Sequence, residues 1–299
     1  KLPGGTWLRF NADGTHEEHK YWNVLDNTVD LEGASEEKIS EELLAALRES
    51  VELRKVSDVP VGVFLSGGID SSTNAALFAE SGNSEVKTFS IGYEGDYESY
   101  KNELNFARLA ADNANGIYHE KLLNSNDLIK FLPEMIKLQD EPIADPVCVP
   151  LFYVSKLAKD NNVTVCQVGE GADELFWGYP HWKRVLTYQN LSDKFLPKFL
   201  LKGVLVLLNL FQLNKDWRFE AIKRVSEGQP IYWGPEPYTH HQKMALLSQR
   251  MKDSFHEITS WDAISDIHKD FIHKSKAKNN LDWMTYIDLN LRLPELLLM

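Results

Sequence analysis

Two short stretches hold the residues of this sequence best suited to phosphate and charge: Ser66-Gly67-Gly68-Ile69-Asp70-Ser71-Ser72, and the eleven residues from Gly169 to Tyr179. The first follows an apolar run, Val59 to Leu65, and precedes a helical pattern, so its backbone N–H groups and a helix N-terminus can point together at one anion. Its glycines let the main chain approach closely, and Ser66, Ser71 and Ser72 add hydroxyl donors. No Gly-Lys-Ser/Thr closes the loop, so it lacks the lysine with which the common P-loop grips the outer phosphates. Asp70 stands among the anion donors instead, where a carboxylate makes sense if a cation such as Mg²⁺ accompanies the phosphates. The simpler reading is a tight turn in which Asp70 or Ser71 only caps the helix.

The second stretch, Gly169-Glu170-Gly171-Ala172-Asp173-Glu174-Leu175-Phe176-Trp177-Gly178-Tyr179, follows a short apolar run, Thr164 to Val168, and carries three carboxylates. That much negative charge at one strand end is repulsive unless a cation or a basic ligand offsets it. A solvated acidic turn capped by Asp173 would leave the glycine bracketing and the charge density unexplained. Trp177 and Tyr179 suit packing better than stacking on a nucleobase.

The elements that must position these stretches alternate. Ser35 opens a helix whose Ile39, Leu43, Leu47 and Val51 recur at four-residue spacing, a stripe that should lean on a sheet. Strands are expected at 59–65, 86–91, 117–121 and 164–168, with helices at about 71–80, 102–113, 126–138 and 150–160. Strands alternating with helices imply a doubly wound parallel α/β sheet, with ligands at the carboxyl ends of its strands, where both stretches fall. Before this pattern, Leu2 to Trp22 reads as a short β-hairpin, and a polar stretch to Ala34 follows. After about residue 180 the pattern is helical. Within it, Gly203 to Leu213 is the most lipid-like segment but too short to span a bilayer, and it reads as a buried core helix.

Composition excludes several classes. The 32 basic and 44 acidic side chains give a formal charge of -12, which disfavours a general electrostatic grip on nucleic acid or anionic lipid. Cys148 and Cys166 are the only cysteines and form no disulfide framework, so a reducing, cytoplasmic setting is expected. His16, His19, His240 and His241 lack metal-ligand spacing and read as surface residues. Asp140, Glu141 and Asp145 are either first-turn acids of the next helix or part of a substrate site.

The first stretch resembles the pyrophosphate loop of the ATP pyrophosphatase (PP-loop) superfamily. The second resembles the Gly-Glu-Gly-Ser/Ala-Asp-Glu-x-Phe-x-Gly-Tyr signature of the glutamine-hydrolysing asparagine synthetase family, in the order that family has them. Thr88-Phe89-Ser90-Ile91-Gly92, Asp140-Glu141-Pro142, Tyr286-Ile287-Asp288-Leu289 and Leu293-Pro294 extend the similarity. The resemblance implies an adenine nucleotide alpha hydrolase-like fold and a carbon–nitrogen ligase that adenylates a carboxylate, aspartate first, and transfers ammonia to it, releasing AMP and pyrophosphate. ATP and Mg²⁺ are the implied cofactors. Leu65, Ile91, Val168 and Gly169 would line the adenosine pocket, and Ser66, Gly67, Gly68, Asp70, Ser71 and Ser72 would cradle the phosphates. Asp70 and Asp173 would hold Mg²⁺, and Glu170 would help deprotonate the attacking ammonia.

The same resemblance divides the chain into residues 1–34, a β-hairpin remnant of an N-terminal glutaminase domain plus linker, and 35–299, the synthetase domain. Lys1 stands first and no cysteine precedes Cys148, whereas glutamine-using members begin with a catalytic cysteine. A fragment of a longer protein, cut at both ends and served by a glutaminase domain, is the expectation. Val147 stands where many relatives carry serine, which leaves open an acceptor other than aspartate, such as a sugar carboxylate or a peptide. A non-catalytic ATP-binding scaffold and a tRNA-modifying enzyme are the remaining alternatives, the last disfavoured by the acidic balance. A homodimer is compatible with these motifs, which do not themselves encode an assembly.

Overall fold

The computed structural model of the protein describes residues 2–80, 85–95, 103–139, 147–195, 198–211, 213–214, 216–236 and 238–294. In chain order the elements are β1 (Thr6–Phe10), β2 (His16–Lys20), a 3-10 turn at Val24–Asn27, α1 (Glu36–Leu53), β3 (Val61–Phe64), α2 (Ile69–Glu80), β4 (Lys87–Tyr93), α3 (Leu104–Asn113), β5 (Ile117–Leu123), α4 (Ser125–Leu138), α5 (Cys148–Asp160) and β6 (Val165–Gln167). Among the described residues the elements that follow are helices: α6 (Ala172–Phe176), α7 (Pro180–Phe195), α8 (Lys198–Leu210), α9 (Trp217–Glu227), α10 (His240–Leu246), α11 (Gln249–Ser254), α12 (Ser265–Lys274) and α13 (Asn280–Asn290). The chain divides into two units, one of Asp30–Glu170 and one of Lys1–Val29 with Gly171–Met299.

In the first unit, β3 to β6 form a parallel sheet in the order β5-β4-β3-β6. The chain steps from β3 to β4 to β5 in one direction and then returns to place β6 on the far side of β3, pairing Val61 with Val165 and Val63 with Gln167. β3 is therefore internal, which suits its unbroken apolar sequence. Val63, Leu65, Ala75, Val86, Ala107 and Ala111 pack as one core on the α2–α3 face, and Phe89, Val154, Ala158 and Val163 pack on the α5 face. The sheet is thus doubly wound, as the alternation predicted.

Ser35 caps α1 by accepting from the Lys38 N–H at 3.3 Å. The helix's apolar stripe closes down along its length: Ile39 and Leu43 are exposed and Val51 is buried, its carbonyl receiving the Gln167 side-chain amide at 3.1 Å. Only the C-terminal end of α1 leans inward as expected.

In the second unit, β1 and β2 form the expected antiparallel hairpin, with Gly14 at φ 83° in its turn. The following segment is tied to the helices: Asn23 donates to Asp270 at 2.8 Å and bonds the Tyr286 hydroxyl at 3.0 Å. The aromatic core of this unit gathers Trp182, Tyr232, Trp233, Phe271, Trp283 and Tyr286 with Ile264, Met284 and Ile287. One expectation fails here. The segment 203–213 is not a buried core helix: α8 turns Leu201 inward against α9, while Val204, Val206, Leu207, Leu210, Phe211 and Leu213 are 40–73% exposed. A helix packed along one face can bury only one stripe, however apolar the others are.

Candidate functional site

The turn after β3 folds back on itself through its serines. The Ser66 N–H donates to Ser71 Oγ at 3.1 Å, the two hydroxyls share a hydrogen bond of 2.9 Å, and the Gly68 N–H donates to Ser66 Oγ at 3.3 Å. Ser71 is buried, and Ser72 is the first residue whose N–H reaches back to a helical carbonyl, that of Gly68 at 3.0 Å. The N-terminus of α2, the positive end of its dipole, therefore stands at this turn. Asp70, half-buried, sits within that first turn.

Gly67 is required twice over. Its φ is 92°, and a Cβ there would lie 2.7 Å from the Glu103 carbonyl oxygen and 2.9 Å from the Ala107 nitrogen, at the start of α3. The turn therefore rests on α3 with no room for a side chain.

Because the winding reverses between β3 and β6, the crevice at their carboxyl ends is the switch point at which open α/β sheets bind ligands. Both predicted turns leave the sheet there. Gly169 lies directly on the first turn: a Cβ on it would stand 2.7 Å from Ser71 Cα and N and 2.8 Å from the Asp70 carbonyl carbon. The structure thus brings Gly169 together with Asp70 and Ser71, the observation on which the site rests.

The residues assigned to adenosine are differently disposed. Leu65 is buried, its N–H donating to the Phe89 carbonyl at 2.9 Å and its carbonyl accepting from the Ser90 hydroxyl at 2.5 Å. Ile91 packs partly buried among the α4–α5 residues, whereas Val168 and Glu170 are exposed.

The acidic stretch straddles the two units: Gly169 and Glu170 belong to the first and Gly171 to Tyr179 to the second. Asp70 and Asp173 accordingly lie in different units. Within the second, α6 is bracketed by two left-handed residues, Gly171 at φ 97° and Trp177 at φ 60°. Asp173 is exposed, and Glu174 beside it is 1% exposed. The Tyr179 hydroxyl donates to Glu174 Oε1 at 2.7 Å, and Arg292 Nε stands 3.6 Å from the same oxygen. Burial pushes the Tyr179 hydroxyl's pKa up, and its bond to Glu174 adds to the shift. Tyr179 does pack, against Trp182, as its aromatic character suggested, but its hydroxyl has a second task on Glu174. Neither the burial of Glu174 nor the part played by Arg292 was visible in the sequence, since nothing in local spacing links positions more than a hundred residues apart.

Asp140, Glu141 and Asp145 lie outside the described residues, while Val147 caps α5. His16 and His19 are exposed as expected. His240 and His241 are half-buried instead, because α10 packs its N-terminus inward: the His240 ring meets Ser260 at 3.3 Å, and burial pulls its pKa down. Among the described residues, no three His, Cys, Asp or Glu side chains gather as a metal-ligand cluster, and no helix is long and apolar enough to cross a membrane.

A sequence model of the family described as asparagine synthase matches residues 42–299. The chain belongs to the asparagine synthase family. Among curated relatives of known name, asparagine synthetase [glutamine-hydrolyzing] 1 of Bacillus subtilis (strain 168) is 37% identical over 97% of this chain and 43% of its own length. A putative asparagine synthetase [glutamine-hydrolyzing] 2 of Methanocaldococcus jannaschii is 32% identical over 74% of this chain and 43% of its own length. The chain therefore spans less than half the length of these two relatives. A solved NH3-dependent NAD synthetase from Campylobacter jejuni overlays with a TM-score of 0.29 at 21% identity, covering 48% of this chain and 60% of that one, too loosely to add to the assignment.

Proposed function

We propose that this chain carries the ATP-dependent, amide-forming activity of an asparagine synthetase, adenylating the side-chain carboxylate of aspartate and transferring ammonia to it. Family membership supports the reaction class. The close seating of Gly169 on Asp70 and Ser71 is the single structural observation that carries the reading, because it sets the first residue of the second signature stretch against the first loop at the carboxyl ends of β3 and β6.

The chemistry fits the residues. A carboxylate cannot expel oxide, so an oxygen of the substrate carboxylate attacks the α-phosphorus of ATP, pyrophosphate departs, and the resulting acyl-adenylate has AMP as a workable leaving group. The first-turn N–H groups of α2 and the hydroxyls of Ser66, Ser71 and Ser72 are donors suited to the departing pyrophosphate. The serine hydroxyls now bond one another, and they can rotate to serve phosphate oxygens instead. Asp70 and Asp173 would hold Mg²⁺, a cation usually bound by one or two carboxylates together with substrate phosphates. Its contribution when bound is to neutralise charge on the pyrophosphate.

Ammonia then attacks the acyl carbon, the bond to AMP breaks, and the nitrogen must lose a proton. Glu170, exposed at the end of β6, is the carboxylate assigned to receive it. Leu65, Ile91, Val168 and Gly169 complete the proposal as the adenosine-facing residues. The names of the relatives state glutamine hydrolysis for them, and on that ground the nitrogen here would come from glutamine through a glutaminase domain of the full-length protein.

Pyrophosphate release from ATP, measured with ammonium as nitrogen source and a panel of carboxylates including aspartate, sugar acids and peptides, tests the assignment. Aspartate-dependent release with one asparagine formed per pyrophosphate is expected. Release with another acid and none with aspartate would replace the acceptor, and no release with any acid would refute the activity.

A further inference from the structure

Short helix α6 inverts the usual partition of side chains. Leu175, Phe176 and Trp177 are about half exposed, at 48%, 53% and 52%, while the carboxylate of Glu174 is buried at 1%. A buried carboxylate is tolerated only with partners, and Glu174 has several, all within its own unit. Tyr179 donates its hydroxyl to Oε1, Arg292 brings its Nε to 3.6 Å of the same oxygen, and the Arg292 guanidinium lies 4.1 Å over the Tyr179 ring. The main chain is held as well: Thr285, on α13, donates its hydroxyl to the Glu174 carbonyl at 3.0 Å and accepts the Trp177 indole N–H at 3.1 Å. That second bond secures Trp177 in the left-handed conformation, which a bulky residue rarely adopts.

The side chain next to Glu174 is Asp173, and it depends on the same turn. The Gly178 N–H donates to the Asp173 carbonyl at 3.0 Å, and a Cβ on Gly178 would fall 1.8 Å from Asp173 Oδ1. The Asp173 carboxylate therefore lies flat on a turn whose shape is set by Glu174 on one side and by Trp177 on the other. Buried ion pairs seldom stabilise a fold more than a well-packed apolar group would, so net stability alone is a weak explanation of this arrangement.

We propose that Glu174 is a positioning residue, neither a ligand nor a proton carrier, and that with Tyr179, Thr285 and Arg292 it anchors the 173–178 turn to α13 so that Asp173 is aimed for metal–nucleotide binding. This rests on the assignment of Asp173 under Proposed function and adds α13 to the machinery.

The test uses the full-length protein with Mn²⁺ as a spectroscopic substitute for Mg²⁺, reading Mn²⁺·ATP affinity by paramagnetic resonance and calorimetry, together with thermal melting and ammonium-dependent turnover. Glu174→Gln removes the charge that faces Arg292, and Tyr179→Phe and Thr285→Val each remove a hydroxyl link, all with little change of shape. Each is expected to weaken Mn²⁺·ATP binding about tenfold, the worth of one hydrogen bond to a charged or buried group. kcat should fall while KM for aspartate stays within about twofold, since uniform binding of that substrate is untouched. The Glu174→Gln and Tyr179→Phe pair should be non-additive, the double variant binding little worse than either single one. Melting temperatures that fall by the same order in all variants, with metal–nucleotide affinity unchanged in the folded fraction, would overturn the positioning role. If the unaltered protein binds no Mn²⁺·ATP, the functional reading fails and this inference with it. Normal binding by the unaltered protein and all three variants removes this inference alone.

Discussion

Replacing Gly169 by alanine probes the contact on which the site stands. The added Cβ would sit 2.7 Å from Ser71 Cα and N and 2.8 Å from the Asp70 carbonyl carbon. These are backbone atoms and cannot rotate aside, so restoring an ordinary separation means moving one turn by roughly 1 Å, an overpacking cost of about 1–3 kcal/mol. A displacement of that size at reacting groups is enough to lower turnover about a hundredfold. Two further glycines separate stability from chemistry. Gly62 would bring its Cβ 2.8 Å from Phe89 Cε2 and 2.9 Å from the Lys87 carbonyl oxygen, in the body of the sheet, and Gly203, within α8, has nothing within 4 Å. Gly62→Ala should therefore destabilise by a similar amount yet keep near-normal pyrophosphate release per folded molecule. Gly203→Ala should stabilise by about 0.5–1 kcal/mol through helix propensity alone. The assays are urea unfolding and initial rates of pyrophosphate release with aspartate and ammonium. Gly169→Ala with full turnover, or with a loss no greater than that of Gly62→Ala at equal stability, would refute the claim that this contact sets the geometry of the first turn.

Other consequences concern charge and the thiols. Asp288 is fully buried and receives the Tyr232 hydroxyl at 3.0 and 2.8 Å, yet burial pushes its carboxyl up to about 7. A raised carboxyl stabilises the fold fully below its unfolded value near 4 and loses that contribution as pH rises through about 7, roughly 4 kcal/mol in all. Stability measured in urea should fall between about pH 4 and pH 7, and Asp288→Asn should flatten the slope; an equal slope in the variant refutes the assignment. Asp270 has the opposite sign: burial alone would raise its pKa, but hydrogen bonds from Tyr286 and Lys20 hold it below the usual carboxylate range. Its contribution is present at neutral pH and lost on acidification below the usual carboxylate range, so Asp270→Asn should destabilise at pH 7 and approach the parent as the pH is lowered through that range. Cys166 is pushed up to about 11 by burial, leaving about one part in a thousand as thiolate at pH 8. Iodoacetamide should leave it unlabelled in the native protein and label it after unfolding, as read by mass spectrometry.

The sheet was legible because its central strand β3 is a short apolar run closed by turn chemistry and strands alternate with helices around it, even though His119, Glu120 and Lys121 interrupt the apolar pattern of β5. The ends shifted by a few residues where the reading depended on where an apolar run stops: the run 59–65 pairs as a strand only over Val61–Phe64. The two turns were legible for a related reason, since Gly67 and Gly169 are glycines forced by close approach of backbone and so leave a mark in the sequence itself. What was hidden depends on contacts between distant positions. Composition cannot say which stripe of an all-apolar helix meets a neighbour, so α8 read as buried while most of it is exposed. His240 and His241 read as surface residues because their burial comes from the packing of α10, which carries no local signature.

The three carboxylates of the second turn show how far type and spacing reach. In sequence they are equivalent, and their combined charge argued for a cation. In the structure the equivalence is broken by burial. Glu174 faces inward to Tyr179 and Arg292, so part of the charge that seemed to need a ligand is offset within the protein. Glu170 and Asp173 remain exposed, which is the condition a group must meet before it can touch ammonia or a metal–nucleotide complex. The division follows from contact: a buried carboxylate that accepts a tyrosine hydroxyl beside an arginine is held in one geometry, whereas an exposed one can exchange partners during a reaction cycle. Burial thus separates the acids that can act on a ligand from the acid that holds one of them in place.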